Sequence, residues 1–267
     1  MNIQLNGQPV YAYNGGKTFD PALPCIVFIH GAMNDHSVWT LLARWFAHHG
    51  WAVLAVDLPG HGRSASLPLD SVEDLGAWIW QLLDAAGVQQ AALVGHSMGS
   101  LIALEAAAQA PERASHLLLL ATACPMKVSP ALLDLARTQP LQSIKMVNGF
   151  SFASWAGKPS YPGPGAWMQG GEIALKCRMQ KLQTGVNLFE HDFRICDAYT
   201  GAMSAAARVK CKSRLILGAL DQMTAPKQAR ALAEALQSSS VTLDCGHSLM
   251  AERPDQLLMA IRQALEV

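Results

Sequence analysis

The sequence predicts an α/β fold, in which a mostly parallel, doubly wound sheet carries a block of helices inserted after its sixth strand. Two observations indicate this. Through the first half of the chain, short apolar segments alternate with longer amphipathic ones, which is typical of strands joined by crossover helices. Between residues 124 and 209 the alternation stops, and helix-forming segments separated by prolines replace it. The alternation then resumes with two further strand–helix pairs.

The first elements follow from turn residues and from hydrophobic periodicity. Residues 2–13 predict a hairpin of antiparallel edge strands, because Asn6-Gly7 is a favoured two-residue turn. Residues 25–29 are mostly β-branched or aromatic, which indicates a buried strand. Residues 37–49 predict a helix, since their apolar side chains recur at a spacing that places them on one face.

Later elements are predicted in the same way. Ser71 is a suitable N-cap and Gly87 a suitable end for the second helix. The remaining elements of the first half are a strand at 51–56, that helix at 71–86, a strand at 91–94, a helix from about 101 and a strand at 116–120. Those of the second half are a strand at 214–217, a helix at 226–236, a strand at 241–243 and a final helix that ends near 266.

The length of 267 residues suits one large α/β domain, or a core that carries one insertion. We predict a core of residues 1–123 and 210–267 and a helical cap of residues 124–209. The cap is rich in aromatic residues and methionine, which predicts a largely apolar interior.

Composition limits the possible partners and the compartment. The formal net charge is zero and no basic or acidic run occurs, so we expect neither nucleic acid nor a membrane surface as a partner. The N-terminus lacks the features of a secretory signal, and no apolar stretch approaches the roughly 18 residues that span a bilayer. The 6 cysteines are scattered, which indicates reduced thiols and a cytoplasmic protein. A monomer and a homodimer both remain open.

Ser97 is the first candidate for chemistry. It lies in Gly95-His96-Ser97-Met98-Gly99, between a predicted strand and a predicted helix. A strand that turns at once into a helix leaves one strained residue at the bend, and the flanking glycines let neighbouring backbone approach it. An ordinary turn is the alternative, because G-x-S-x-G occurs often by chance.

A serine nucleophile needs a base and a group that orients the base. Such groups collect at the carboxyl ends of parallel strands. Asp221 follows the strand at 214–217, and His247 follows the strand at 241–243. Asp244 is nearer to His247 in sequence, but a residue at the end of the same strand would have difficulty folding back onto the imidazole.

The chain order Ser97, Asp221, His247 resembles that of the α/β-hydrolase superfamily, in particular its single-domain serine esterases with a helical cap. Three further stretches agree with this resemblance. They are His30-Gly31-Ala32, which resembles the oxyanion loop, Asp57 to Ser64, which resembles a structural D-x-x-G-x-G-x-S turn, and Gly246-His247 with Glu252-Arg253-Pro254, which resembles the ending of the family.

The resemblance implies an α/β-hydrolase fold and a carboxylic ester hydrolase. Ser97 would be the nucleophile, His247 the base and Asp221 the residue that orients the base. The backbone N–H groups of Ala32 and Met98 would form the oxyanion hole. No sequence motif implies a cofactor or a metal, and the apolar cap favours a small to medium, largely apolar ester as the small-molecule substrate.

Contacts with the substrate are harder to predict. His36, Trp155 and Trp167 are the candidates that we name, and the neighbours of His36 in the loop, Asn34 and Asp35, are further possibilities. For the residues of the loop, the alternative is a solvated loop without substrate contact. For the two tryptophans, the alternative is a structural role in the core of the cap. Arg178, Lys181 and Arg194 lie in the insertion, so an ester that carries a carboxylate remains open.

Other functions use the same residues. Some members of the superfamily are small-molecule receptors with little turnover, and a receptor is therefore the alternative from a different class. A C–C bond hydrolase, an acyltransferase and a perhydrolase are alternatives within enzyme chemistry. Ser248 follows His247, where C–C bond hydrolases commonly carry an aromatic residue, and this weakens that one alternative.

Overall fold

The computed structural model describes residues 1–64, 66–153, 168–182 and 185–267, and a sheet of eight strands forms its centre. In chain order the strands are β1 (Asn2–Leu5), β2 (Gln8–Tyr13), β3 (Cys25–Ile29), β4 (Ala52–Val56), β5 (Ala91–His96), β6 (Ala114–Leu120), β7 (Lys212–Gly218) and β8 (Ser239–Leu243). Across the sheet the order is β1-β2-β4-β3-β5-β6-β7-β8. The first two strands pair antiparallel, and β3 to β8 are parallel.

Helices lie on both faces of the sheet. In chain order the described helices are α1 (Thr40–Ala47), α2 (Val72–Ala85), α3 (Met98–Gln109), α4 (Pro130–Thr138), α5 (Pro140–Ser151), α6 (Met168–Leu182), α7 (Leu188–Ala198), α8 (Ala202–Ala206), α9 (Arg230–Ala235), α10 (Leu249–Glu252) and α11 (Pro254–Leu265). Helices α4 to α8 lie between the sixth and seventh strands. The predicted fold class is therefore confirmed.

The alternation of side chains along each strand builds two cores. In β3, Val27 and Ile29 belong to the core that contains residues of α2 and α3. Ile26 and Phe28 belong to the opposite core, with residues of α1 and α11. All five β3 residues are buried, because a parallel strand in the middle of such a sheet is covered on both faces.

The predicted hairpin is confirmed. β1 and β2 pair from Asn2 with Tyr11 to Leu5 with Gln8, so that two residues form the turn. Both have positive φ, 51° at Asn6 and 76° at Gly7, as a tight hairpin turn between twisted strands requires.

Two predicted helices begin differently from the prediction. The segment predicted at 37–49 starts with a 3-10 helix at His36–Trp39 before α1, and the segment at 226–236 starts with a 3-10 helix at Pro226–Ala229 before α9. In the first of them, the Asp35 side chain accepts a hydrogen bond from the Ser37 N–H at 2.9 Å, which begins the turn earlier than periodicity alone indicates.

The inserted helices have a small core of their own. It contains Ile144, Val147, Met179 and Phe189, together with Met33 from the loop after β3. Helices α4 and α5 both begin at a proline, which the first turn of a helix tolerates because its N–H needs no intrahelical partner. The boundaries that we propose for the cap remain residues 124–209.

A buried ion pair joins the cap to the core. The carboxylate of Asp192 on α7 accepts hydrogen bonds from His61 Nε2 at 2.9 Å and from the Met33 N–H at 2.8 Å. Both side chains of the pair are almost inaccessible to solvent. Met33 has a φ of 61°, so this hydrogen bond also holds a strained residue in the loop after β3.

Two further observations concern the described residues. Each of the six cysteines falls within the described ranges and is a free thiol. Among the described helices, none combines the length and the apolar character that crossing a bilayer requires.

Replacing Asp192 by Asn is expected to destabilise the fold by about 3–5 kcal/mol, because it leaves a buried His61 without its charged partner. Urea unfolding at pH 6 measures this free energy. Asp134→Asn is the matched control, since Asp134 pairs with Arg137 on an exposed face of α4 and its loss should cost about 1 kcal/mol or less. Equal effects of the two substitutions would contradict a stabilising role for the buried pair.

The same pair should make stability depend on pH. Burial alone lowers the pKa of His61, but the charge and the hydrogen bond of Asp192 outweigh burial and raise this pKa above 6.5. Burial acts to raise the pKa of Asp192, whereas the charge of His61 lowers it below 3.8. The stability difference between native protein and Asp192→Asn should therefore be largest between pH 3.8 and pH 6.5, the ordinary pKa values of Asp and His. It should shrink as the pH rises through the raised pKa of His61.

Candidate active site

Ser97 makes the turn between β5 and α3 by itself. Its backbone has a φ of 54° and a ψ of −121°, a conformation that costs on the order of 1–3 kcal/mol for a residue other than glycine. The Ser97 N–H donates to the Leu120 carbonyl on β6 at 2.9 Å, and its own carbonyl accepts from the Ser100 N–H at 2.8 Å. These two bonds hold the side chain at the carboxyl end of the sheet.

Two glycines let the bend pack against β3. A Cβ on Gly95 would lie 2.0 Å from the Gly99 carbonyl oxygen, and a Cβ on Gly99 would lie 2.3 Å from the Ile29 carbonyl oxygen. Real Cβ atoms do not approach so closely. The first turn of α3 therefore rests directly on the backbone at the end of β3, which brings Ser97 beside the loop that contains Gly31.

His247 and Asp221 are in direct contact. Asp221 follows β7 and His247 follows β8, and Asp221 Oδ2 lies 2.8 Å from His247 Nδ1. Because the carboxylate can only accept, Nδ1 carries the proton of this hydrogen bond, and the other ring nitrogen of a neutral imidazole is then free to accept one. Asp244 is different, since its exposed carboxylate lies 3.8 Å from Arg253.

Thr224 completes the surroundings of Asp221. Asp221 Oδ1 accepts hydrogen bonds from the N–H groups of Met223 at 2.8 Å and Thr224 at 2.9 Å, and the Thr224 hydroxyl lies 2.7 Å from Oδ2. Burial acts to raise the pKa of Asp221, but the charge of His247 and these hydrogen bonds hold it below its ordinary value. The carboxylate is thus ionised and oriented at neutral pH.

The backbone of His247 is held on both sides. Its N–H donates to the Ser151 carbonyl at 2.9 Å, and its carbonyl accepts from His96 Nε2 at 2.8 Å. Burial, followed by the charge of His247, lowers the pKa of His96 to about 3, so His96 is a neutral donor here. Glu252 fixes the preceding residue, because it accepts from the Gly246 N–H at 2.9 Å.

Ser97 and His247 line the same cavity, which has a volume of about 250 Å³. Gly31 and Ala32 line it beside Ser97, and cap residues close it from above. Most of the cap side chains in the wall are apolar, among them Leu132, Val147, Phe150 and Phe193. The cavity has the size and character of a small-molecule site.

Two backbone N–H groups are available near Ser97. The Met98 N–H is the first of α3, where no intrahelical acceptor exists. The Ala32 N–H has no hydrogen-bond partner in the part of the chain that the structure describes. Both groups could donate to an oxygen bound at Ser97.

The structure separates His36 from this cavity. Its Nδ1 lies 2.8 Å from Asp57 Oδ1, and its ring packs on that of Tyr11 at 4.8 Å between centroids. His36 is not among the residues that line the cavity, which does not agree with the predicted substrate contact. The physical reason is that the buried carboxylate of Asp57 holds the imidazole toward the edge of the sheet. Trp155 and Trp167 lie outside the described residues.

One group of side chains has the composition of a metal site. Asp35, His36 and Asp57 bring one possible ligand atom each within 4.8 Å of the others. Their carboxylates are already used, because Asp35 pairs with Arg178 at 2.7 Å and Asp57 accepts the N–H groups of His36 at 2.7 Å and Arg63 at 2.8 Å. These contacts indicate that the group anchors two loops.

Three polar residues at the site were not predicted from the sequence. Thr224 supports Asp221, as described above. Lys176 and Glu172 on α6 line the cavity as an ion pair. A hydroxyl three residues after Asp221 is a weak signal for Thr224, whereas Glu and Lys four residues apart indicate an exposed helix face and gave no sign of a buried pair.

A family model described as "Alpha/beta hydrolase family" matches residues 26–260. A curated relative, 2-succinyl-6-hydroxy-2,4-cyclohexadiene-1-carboxylate synthase of Escherichia coli O1:K1 / APEC, is 37% identical over 91 residues, which are 34% of this chain and 35% of that protein. The match thus spans about a third of the length of that relative.

Solved structures resemble the whole chain. The enol-lactonase from Burkholderia xenovorans LB400 has a TM-score of 0.79 and 23% identity and covers 100% of both chains. An esterase from Exiguobacterium antarcticum has a TM-score of 0.81 and 16% identity, with 100% of this chain and 99% of that one covered. At these identities the likeness concerns the fold.

Replacing Gly99 by Ala is expected to destabilise the protein by about 1–3 kcal/mol or more, because the new methyl group would collide with the backbone of β3. Gly149→Ala is the control, since nothing lies within 4 Å of a Cβ at that position on α5. Urea unfolding compares the two variants. Similar free energies of unfolding for both would show that the packing of α3 on β3 is not as tight as described.

Proposed function

The chain belongs to the alpha/beta hydrolase family, and we propose that it is a serine hydrolase that cleaves carboxylic esters through an acyl-enzyme. The observation that carries this proposal is the contact of 2.8 Å between Asp221 and His247, with His247 and the strained Ser97 in the wall of one cavity. A nucleophile, a base and a carboxylate that orients the base are the groups that acyl transfer needs.

In the first step, Ser97 Oγ attacks the ester carbonyl carbon while His247 Nε2 takes the hydroxyl proton. Asp221 keeps the proton of the imidazole on Nδ1 and stabilises the imidazolium that forms. The imidazolium then protonates the departing alkoxide, which leaves an acyl group on Ser97. Water, deprotonated by His247, attacks this acyl group, and the imidazolium returns the proton to Ser97 Oγ as the acid is released.

The negative oxygen of each tetrahedral intermediate needs donors that are already in place. The N–H groups of Met98 and Ala32 are our candidates. Backbone donors reorganise little during the reaction, and removing one such donor typically costs about 10²–10³-fold in rate. The tight packing of α3 on β3 supports this assignment, because it brings the two segments that carry these groups together.

The walls of the cavity support a largely apolar substrate. Desolvating a charged ligand against side chains such as Val147 and Phe193 would need a compensating partner. The volume of about 250 Å³ fits a small to medium ester. We place the protein in the cytoplasm and expect no cofactor, as the sequence indicates.

Replacing Ser97 by Ala is expected to reduce kcat on small aliphatic esters by at least about 10³-fold, since the nucleophile is lost. Steady-state hydrolysis of a panel of p-nitrophenyl esters measures the effect. Ser204→Ala, on an exposed face of α8, is the control and should keep the native rate. A serine-directed phosphonate should label native protein and Ser204→Ala at Ser97 and leave Ser97→Ala unmodified.

Equal rates for native protein and Ser97→Ala would exclude the proposed mechanism. Tight binding of an ester without turnover by the native protein would instead favour a receptor of the same fold.

Replacing Thr224 by Val is expected to lower kcat about 10-fold with little change in KM, because Asp221 loses a hydrogen bond that helps it to orient His247. Thr242→Val, at an exposed position of β8, is the matched control. Ester hydrolysis by both variants, with their melting temperatures, provides the measurement. A native kcat for Thr224→Val would mean that the hydroxyl has no part in positioning the pair.

A further inference from the structure

The cavity contains a charged pair among apolar neighbours. Glu172 and Lys176 lie four residues apart on α6, and both line the cavity that contains Ser97. The exposed fractions of their side chains are 15% and 5%. The second carboxylate oxygen of Glu172 accepts a hydrogen bond at 2.9 Å from the hydroxyl of Ser248, the residue after His247.

Stability does not explain why this pair is buried. Removing two charges from water costs several kcal/mol per ion, and apolar residues of the same size are often as good or better for folding. The same pair on an exposed helix face would contribute only a few tenths of a kcal/mol. A pair that faces a ligand cavity is therefore better explained by what it binds.

Lys176 has more donors than partners. An ammonium group carries three N–H donors and no acceptor. Among the residues that the structure describes, Glu172 is the acceptor for Lys176 Nζ. The wall of the same cavity includes apolar side chains such as Val147 and Phe193, which cannot accept hydrogen bonds. Whatever fills the cavity must supply the other acceptors, since buried donors without partners are costly.

Asn34 gives a second, independent indication. It lines the same cavity, 6% of it is exposed, and its side-chain oxygen has no hydrogen-bond partner in the described ranges. An amide oxygen can only accept, so a donor on the ligand would have to satisfy it. Lys176 of the cap and Asn34 of the core thus place an unused donor and an unused acceptor in a cavity whose cap side chains are mainly apolar.

The charge balance selects an uncharged ligand group. Glu172 already neutralises Lys176, so a carboxylate on the ligand would add an uncompensated negative charge to a buried site. Arg178 does not provide compensation, because it pairs with Asp35 at 2.7 Å. Lys127 also lines the cavity, but its ammonium group donates to the Asp197 carbonyl at 2.6 Å and lies 3.8 Å from the Asp197 carboxylate. A ketone or hydroxyl oxygen can accept from Lys176 without changing the net charge.

We propose that the substrate is an uncharged ester or lactone with a second oxygen, a ketone or a hydroxyl, which accepts a hydrogen bond from Lys176 Nζ; a hydroxyl would also donate one to Asn34 Oδ1. This inference rests on the proposed function and specifies its substrate class. A site built to hydrogen-bond a substrate oxygen discriminates strongly against an analogue that lacks it, because the polar groups of the site are then left unpaired.

The test uses three ethyl esters of matched shape. Ethyl 4-oxopentanoate carries the ketone, ethyl 4-methylpentanoate replaces its oxygen by a methyl group, and monoethyl succinate replaces the acetyl group by a carboxylate. The 3-oxo and 5-oxo homologues, each with its methyl analogue, cover other spacings between the two oxygens. We expect the native protein to prefer one keto ester over its methyl analogue by about 10–100-fold in kcat/KM, mainly through KM.

The variant for this test removes both charges at once. Lys176→Met with Glu172→Gln avoids leaving either charge buried alone, so the protein should fold. Lys181→Met is the matched control, because Lys181 is on the same helix, is exposed and does not line the cavity. The double variant should lose the preference for the keto ester over its methyl analogue. Lys181→Met should retain the preference.

Three results would overturn the inference while ester hydrolysis stands. The first is equal kcat/KM for every keto ester and its methyl analogue. The second is a preference for a keto ester that the double variant retains. The third is a preference for monoethyl succinate that is lost in the double variant. If no ester is hydrolysed, the proposed function fails. Calorimetric binding of the same esters to Ser97→Ala then tests the inference separately, and equal affinities with and without the ketone would overturn it.

Discussion

The close approach between the end of β3 and the beginning of α3 is the constraint on which the rest of the site depends. Glycine at 95 and 99 allows backbone to touch backbone, so the strained residue between them stands directly beside the loop that follows β3. A side chain between the two segments would move the N–H groups of Ala32 and Met98 apart. The candidate nucleophile and the candidate oxyanion donors therefore share one packing contact.

The other half of the site is organised from the far strands and from the cap. Asp221 and His247 come from the ends of β7 and β8, and α5 holds the His247 backbone through the carbonyl of Ser151. The cap thus does more than cover the cavity, since it also holds the backbone of His247, which lines that cavity with Ser97. Its α6 adds a charged pair to a cap wall in which most side chains are apolar.

Sequence reasoning predicted most of the core, because burial dominates there. The β3 segment was assigned within its observed bounds, and Ser71 caps α2 with its side chain on the Asp74 N–H at 3.0 Å. Ser97 is predicted from its turn between two glycines, and Asp221 and His247 from the rule that strand ends meet at one edge of a parallel sheet. That they form a catalytic triad stays a proposal.

The features of the site that could not be predicted are the directions in which polar side chains point. His36 follows the candidate oxyanion loop, yet a buried carboxylate 21 residues later in the chain draws it away from the cavity. Glu172 and Lys176 have the spacing of a solvent-exposed pair, and only the packing of α6 against α5 and α7 turns them inward. These side-chain directions are set by tertiary contacts, which the periodicity of the sequence does not reveal.

The bond from Asp192 to the Met33 N–H sets a condition for any exchange of caps between proteins of this architecture. A transplanted helical segment would have to present a carboxylate at the same point, or the loop after β3 would lose its anchor while the sheet below stayed intact. In this chain a new cap would keep that loop anchored only if it supplied such an oxygen, whatever ligand it is shaped to hold.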